Sequence, residues 1–321
     1  MCVSVISNKK QQEIATGTPP WHAQFFVGTA LAISVKNFPS LESLNHVATL
    51  DTFTNRVFPE YMSLKTLGLI RLCIAISIWI VTLCMVLGDG WTMYTIYKRN
   101  SKLNNSYVKL KGIRTLFPFT SWSWILLGLS FSFHAMIAIQ VERGAAGKIE
   151  PWMMGTALIL FEIAAPFSLL VSSVVRYAIW PAVLKGGKPH SLNGFRNQMM
   201  HNMNAVFGLT EMCLLGGIPM SFSHISVPCF VGCSYALFAW STAHFLGKAG
   251  TMPGPQYQYF FLDTTLGKST TISLVVLLMI LMSSFAVFAG IETVVEWFGG
   301  SFVINALCVL SISSMVCRIR E

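Results

Sequence analysis

Residues 66–88, Thr-Leu-Gly-Leu-Ile-Arg-Leu-Cys-Ile-Ala-Ile-Ser-Ile-Trp-Ile-Val-Thr-Leu-Cys-Met-Val-Leu-Gly, hold one charge, Arg71, in an otherwise apolar run. At about 1.5 Å per residue, a helix of this length crosses a bilayer core of about 30 Å. Six further runs read the same way, at residues 119–139, 152–180, 201–219, 225–246, 271–294 and 300–317. The expected fold is all-α, a polytopic transmembrane helix bundle with six to seven spans. The count turns on whether Gly299-Gly300 is a tight turn or a kinked end. Composition agrees: 54% of the 321 residues are hydrophobic and 11% are charged, less than half the roughly 25% charged share of soluble domains. Mean hydropathy is +0.60. A soluble enzyme, a disordered chain and a nucleic-acid binder are all disfavoured. The net charge of +9 does not restore the last of these, because Lys and Arg are scattered between apolar blocks.

The chain divides into two regions. Residues 1–62 read as a polar N-terminal arm and 63–321 as the transmembrane helical domain. Met1 to Gln24 lacks the apolar core of a cleavable signal, and Phe25 to Val35 is too short to span, so it is expected to lie in the interface. Cys2 is terminal and the other seven cysteines fall in apolar segments, where Cys behaves as a small hydrophobe. Thirteen Lys and Arg, including Lys98, Lys109, Lys111, Arg114, Lys185, Lys188, Arg196 and Arg320, fall on one side of the spans. Seven, including Lys9, Lys10 and Lys36, fall on the other. The positive-inside rule then places the C-terminus and loops 1, 3 and 5 in the cytosol and the arm opposite them. The endoplasmic reticulum or the plasma membrane is the expected location. Asn104-Asn105-Ser106, the one glycosylation sequon, falls on the cytosolic side in this arrangement. Trp91, Tyr94, Tyr97, Trp122, Trp124, Tyr257 and Tyr259 cluster at that boundary as an aromatic belt.

Polar residues inside spans carry the functional signal, because each is costly unless paired or wetted. Glu162 and Glu211 are both expected near the midplane, and Pro166 should kink the helix that carries Glu162. His201, Asn204, Gly208 and Glu211 recur at i, i+3, i+7 and i+10, one face of a regular helix. Thr120 opens the second span after Phe117-Pro118-Phe119, at the same predicted face as His201 and His244. A hydroxyl beside an imidazole is the pattern of a nucleophile and its general base. A plainer reading makes Thr120 a helix N-cap, His201 an interfacial histidine and the two acids packing groups. A different function, a proton-linked carrier, would use Glu162 and Glu211 with Arg71 and His134 as a polar path. A third is a membrane scaffold or fusion-related protein.

From about Leu67 to Gly267 the chain resembles the androgen-induced family of multipass membrane hydrolases, and most of all its Rolling stone relatives. The resemblance lies in Thr120-Ser121-Trp122, in Met200-His201-Asn202-Met203-Asn204 through Glu211-Met212, in Tyr235 through His244, and in Tyr259-Phe260-Phe261-Leu262-Asp263. It implies that Thr120 and His201 are catalytic and that the substrates are fatty acid esters of hydroxy fatty acids. Glu211 and His244 match positions that are polar in the family, and Asp263 stands where relatives carry an acid. Paired histidines of some relatives become Ala243-His244 here, and neither the arm nor the last span has a counterpart. The expected function is thus a lipid-ester hydrolase in which His201 deprotonates Thr120, with Asn204, Glu211, His244, Glu162 and Asp263 in support. Membrane lipids and a lipid ester are the expected partners, with self-association left open. The mechanism calls for neither metal nor cofactor.

Overall fold

The computed structural model describes residues 17–185, 194–252 and 254–318. Cys2, Lys9, Lys10, Lys188 and Arg320 lie outside the described residues. Helices dominate, in the order α1 (Trp21–Lys36), α2 (Leu41–Val47), α3 (Leu50–Thr54), α4 (Leu64–Leu87), α5 (Phe119–Glu142), α6 (Pro151–Val174), α7 (Trp180–Lys185), α8 (Phe195–Gln198), α9 (Asn204–Thr210), α10 (Ser226–Gly247), α11 (Lys268–Trp297) and α12 (Phe302–Val316). Five helical segments among the described residues are long and apolar enough to cross a membrane: Leu64–Leu87, Phe119–Glu142, Pro151–Lys185, Phe222–Gly247 and Lys268–Ile291. The other two expected spans take different forms. Residues 195–215 are helical but interrupted by π turns at Met199–Met203 and Glu211–Leu215, and α12 has only 15 residues.

The central element is α6, packed against α5, α9, α10 and α11. It is continuous through Pro166, and a π turn follows it at Val175–Ile179. Side-chain oxygens satisfy the first turns of several helices: Ser63 Oγ accepts from the Thr66 amide at 3.1 Å, and Ser40 Oγ from that of Ser43 at the same distance. The close packing of α4 on α5 depends on glycine. A Cβ at Gly128 would stand 2.6 Å from Ile78 Cγ2, and one at Gly68 would stand 2.9 Å from Ile139 Cγ1.

The fold is all-α, with one small addition and one correction to the expected architecture. The addition is an antiparallel ribbon of β1 (Trp91–Thr95) and β2 (Ser106–Leu110), in register Trp91↔Leu110 to Thr95↔Ser106. It starts at Gly90, whose φ of +72° and 2.0 Å separation between an added Cβ and Leu110 O admit only glycine. The arm, moreover, does not lie outside the bundle. Ala23, Val27 and Ser34 form a buried stripe of small residues along α1, which packs antiparallel against α10. Tyr257 donates to Gly17 O at 3.2 Å and His22 lies 2.5 Å from Thr271 Oγ1 at one end, while Ser226 donates to Asn37 O at 2.8 Å at the other. Residues 25–35 therefore run between the two ends of the bundle, and residue 17 reaches the end that holds the ribbon, not the opposite one. We term these the ribbon end and the cap end, the latter closed by α2, α3 and residues 216–224.

The placement of α1 can be tested by cross-linking in native membranes. The double variants H22C/T271C and N37C/S226C should each couple with a short bifunctional thiol reagent. An arm lying flat on one surface would allow at most one of them.

Candidate active site

Pro118 occupies the N-cap position of α5 with extended backbone, which places Thr120 one residue inside the first turn. Its hydroxyl is therefore not the cap. Thr120 Oγ1 instead lies 3.4 Å from the phenol oxygen of Tyr259, which also faces the backbone of Phe119 and Thr120. Burial raises the Tyr259 phenol above its ordinary range, so it stays protonated and available as a donor. The neighbouring hydroxyls are committed: Ser121 donates to Thr115 O at 2.8 Å, and Ser123 accepts from Asn204 Nδ2 at 2.8 Å. Thr120 is thus the hydroxyl of this turn that faces open space.

That space is a cavity of about 330 Å³ at the ribbon end, with Thr120 and His201 both in its wall, together with Trp91, Arg196, Gln258 and Tyr259. Among the described residues no hydrogen bond joins Thr120 to His201; they share the cavity, not a contact. His201 sits in the π turn Met199–Met203, and Ser172 Oγ donates to its carbonyl. Arg196 stacks its guanidinium 3.9 Å from the Trp91 ring centroid and brings a cation to the cavity wall. A second, apolar cavity of about 90 Å³ opens between α1, α6, α10 and α11, and Thr120 and Tyr259 line this one as well. The roof between ribbon and bundle is tied by Tyr97, which donates to Gln256 Oε1 at 3.0 Å and accepts from the Tyr257 amide at 2.8 Å. Burial pushes the Tyr257 phenol up to about 12 and Tyr97 higher still, so both remain neutral at physiological pH.

The other expected site residues lie elsewhere. Asn204 is buried behind the cavity on Ser123. His244 is on the outer side of α10, against Gly17. Asp263 caps the turn Thr264–Leu266 and takes hydrogen bonds from Ser101 at 2.5 Å and the Thr265 amide at 2.9 Å. The expected single face of His201, Asn204, Gly208 and Glu211 is broken, because the π turn Met199–Met203 adds a residue to the turn that carries His201 and rotates the helix beyond it. Glu211 consequently turns toward α4, where it accepts from Arg71 Nε at 3.0 Å and from Nη2 at 2.5 Å. His134 Nδ1 lies 3.6 Å from the same carboxylate, and Arg71 Nη1 donates to Phe53 O at 2.5 Å. Glu162 pairs with His224, a residue that nothing in the local sequence distinguishes, at 2.8 and 3.0 Å. No family model, curated protein or solved structure matches the chain.

Tyr259, Arg196 and Trp91 are the cavity residues that sequence reasoning missed as functional groups. The tyrosines and tryptophans of the boundary read as a lipid belt, and only the fold turns Tyr259 inward. The buried acids have a structural consequence. Removing one partner of a fully buried ion pair costs about 3–5 kcal/mol, whereas apolar replacement of both is far milder. Arg71→Leu and Glu211→Leu should each lower thermal stability by that amount in detergent, and the double variant should recover most of the loss. Additive losses in the double variant would show that the two side chains are not coupled.

Proposed function

We propose that this chain is an integral-membrane lipid-ester hydrolase with Thr120 as nucleophile and His201 as general base. The observation that carries the reading is the shared position of Thr120 and Tyr259, which stand in the walls of both the larger, more polar cavity and the apolar one. An ester spanning the two would lay its acyl chain against Leu274 and Leu278 and its polar end toward Arg196. Its carbonyl would then rest at Thr120.

In this reaction His201 takes the Thr120 proton as Oγ1 attacks the ester carbon, and the neutral phenol of Tyr259 donates to the developing oxyanion. Collapse expels the alcohol, protonated by His201, and leaves an acyl-threonine. Water attacks that acyl group with His201 again as base, releasing the fatty acid and restoring the hydroxyl. Fatty acid esters of hydroxy fatty acids suit the site, because the carboxylate of such a substrate would meet Arg196. In this reading the chain shares its chemistry with the androgen-induced hydrolases that it resembles. The carrier and scaffold readings draw on Glu162 and Glu211, and both acids are already paired with basic side chains.

The test is hydrolysis of a long-chain ester of a hydroxy fatty acid by purified protein in nanodiscs. In a Ser43→Ala background, which removes the only other hydroxyl proposed below as a nucleophile, Thr120→Ala and His201→Ala should each lose more than about 1000-fold in rate, and Tyr259→Phe about 100-fold, as for loss of one oxyanion donor. Leu278→Trp should cut the ratio of long-chain to short-chain turnover by about tenfold. Hydrolysis at the unmodified rate in Thr120→Ala in that background sinks the assignment.

A further inference from the structure

At the cap end, Glu162, His224 and Ser43 form a chain of hydrogen bonds that does not involve Thr120 or His201. Glu162 projects from the buried face of α6 and its carboxylate accepts from His224 Nδ1, at 2.8 Å to Oε1 and 3.0 Å to Oε2. On the other side of the ring, His224 Nε2 lies 2.9 Å from Ser43 Oγ. Both Glu162 and His224 are completely buried, while Ser43 is partly exposed. Three distant parts of the chain meet here: helix α2 of the arm, the middle of α6, and the single turn Phe222–His224.

The connectivity decides the chemistry. With Glu162 ionised, its carboxylate accepts from Nδ1–H and holds the imidazole in the tautomer whose Nε2 lone pair faces Ser43. Nε2 is then the acceptor for the Ser43 hydroxyl proton. The acid orients the base and the base faces the nucleophile, in the order that activates a serine. The backbone of Ser43 is already engaged, since its amide donates to Ser40 Oγ at 3.1 Å, which leaves the side chain to the imidazole. The segments carrying Ser43 and His224 also present apolar side chains outward. Leu41 is 79% exposed, Phe222 58% and Phe38 43%, which suits the hydrocarbon part of an amphipathic molecule and not a sugar or a peptide backbone.

We propose that Ser43, His224 and Glu162 form a second acyl-transfer centre, which cleaves carboxylic esters of amphipathic lipids at the cap end. His224 Nε2 removes the Ser43 proton as Oγ attacks the ester carbon. The tetrahedral intermediate collapses, the C–O bond to the alcohol breaks, and the leaving oxygen takes the proton from Nε2. Water then gives a proton to Nε2 and adds to the acyl carbon. Ser43 Oγ departs and regains its proton, and the products are one alcohol and one carboxylic acid. Ser43 is the catalytic nucleophile and His224 its base, while Glu162 is a positioning residue that acts through the ring.

The full-length protein in nanodiscs is treated with a long-chain alkyl fluorophosphonate, and the adduct is located by peptide mass spectrometry. An adduct on Ser43 is expected in the unmodified protein, with no variant needed. Glu162→Gln should slow its formation by about 1000-fold, and Glu162→Asp should restore a substantial part. His224→Gln, which removes the base, should slow labelling of Ser43 by a similar factor. An adduct confined to Thr120 overturns this proposal and leaves the hydrolase at the ribbon end standing, and an adduct confined to Ser43 does the reverse. Absence of any adduct on Ser43 in folded protein makes the three residues a structural tie between arm and bundle.

Discussion

Arg71 sits with no exposed surface in a helix built from leucine, isoleucine and valine, and its charge must be satisfied from within the protein. Taking such an ion out of water costs several kcal/mol even after relaxation, so its partners are held by strong constraint. Glu211 supplies the opposite charge and Phe53 a carbonyl, while His134 closes the other side of the carboxylate. Those contacts draw together α3, α4, α5 and the end of the helical segment 195–215. Gly216 completes the arrangement: a Cβ there would lie 2.0 Å from Arg71 Nη2 and 2.7 Å from Glu211 Oε1. The turn can pass this close only because the residue has no side chain.

The same demand explains the folding of the arm. Its backbone carbonyl at Phe53 completes the arginine, the Val57 amide donates to Leu215 O at 2.9 Å, and Ser43 reaches His224. The arm is thus part of the interior at the cap end and not an appendage. The bundle is divided accordingly. Compensated charges gather at the cap end, while open space lined by neutral hydroxyls, one imidazole and Arg196 is kept at the ribbon end. Strand pairing of Trp91–Thr95 with Ser106–Leu110 encloses that space, and the bonds of Tyr97 to Gln256 and Tyr257 hold the ribbon to the bundle.

Departures from regular helix matter as much as the helices. In the segment 195–215 the first π turn sets His201 in the cavity wall and rotates the helix beyond it, and the second begins at Glu211, which faces Arg71. A regular helix would have left both on one face. Pro166, the residue whose chemistry announces a kink, is carried within a continuous helix, and the π turn comes nine residues later without a proline to mark it. Such turns depend on packing around the helix, so they leave little trace in local composition.

Hydropathy alone determined that the chain is a multi-pass helical bundle, because a predominantly apolar run of about 20 residues has few stable environments besides lipid or a packed interior. It also marked Glu162 and Glu211 as unusual, and placed Thr120 and His201 at one end, where they line one cavity. It could not identify their partners. His224 and Ser43 stand in short polar segments with no periodic signal, and Tyr259 reads as one more boundary aromatic. Helix α1 was too short to be recognised as crossing the bundle, since its stripe of Ala23, Val27 and Ser34 acquires meaning only against α10. Pairings across 62, 140 and 181 residues were decided by tertiary structure alone. The physical reason is that a buried polar group is indifferent to where in the chain its partner lies and sensitive only to whether one is within hydrogen-bonding reach.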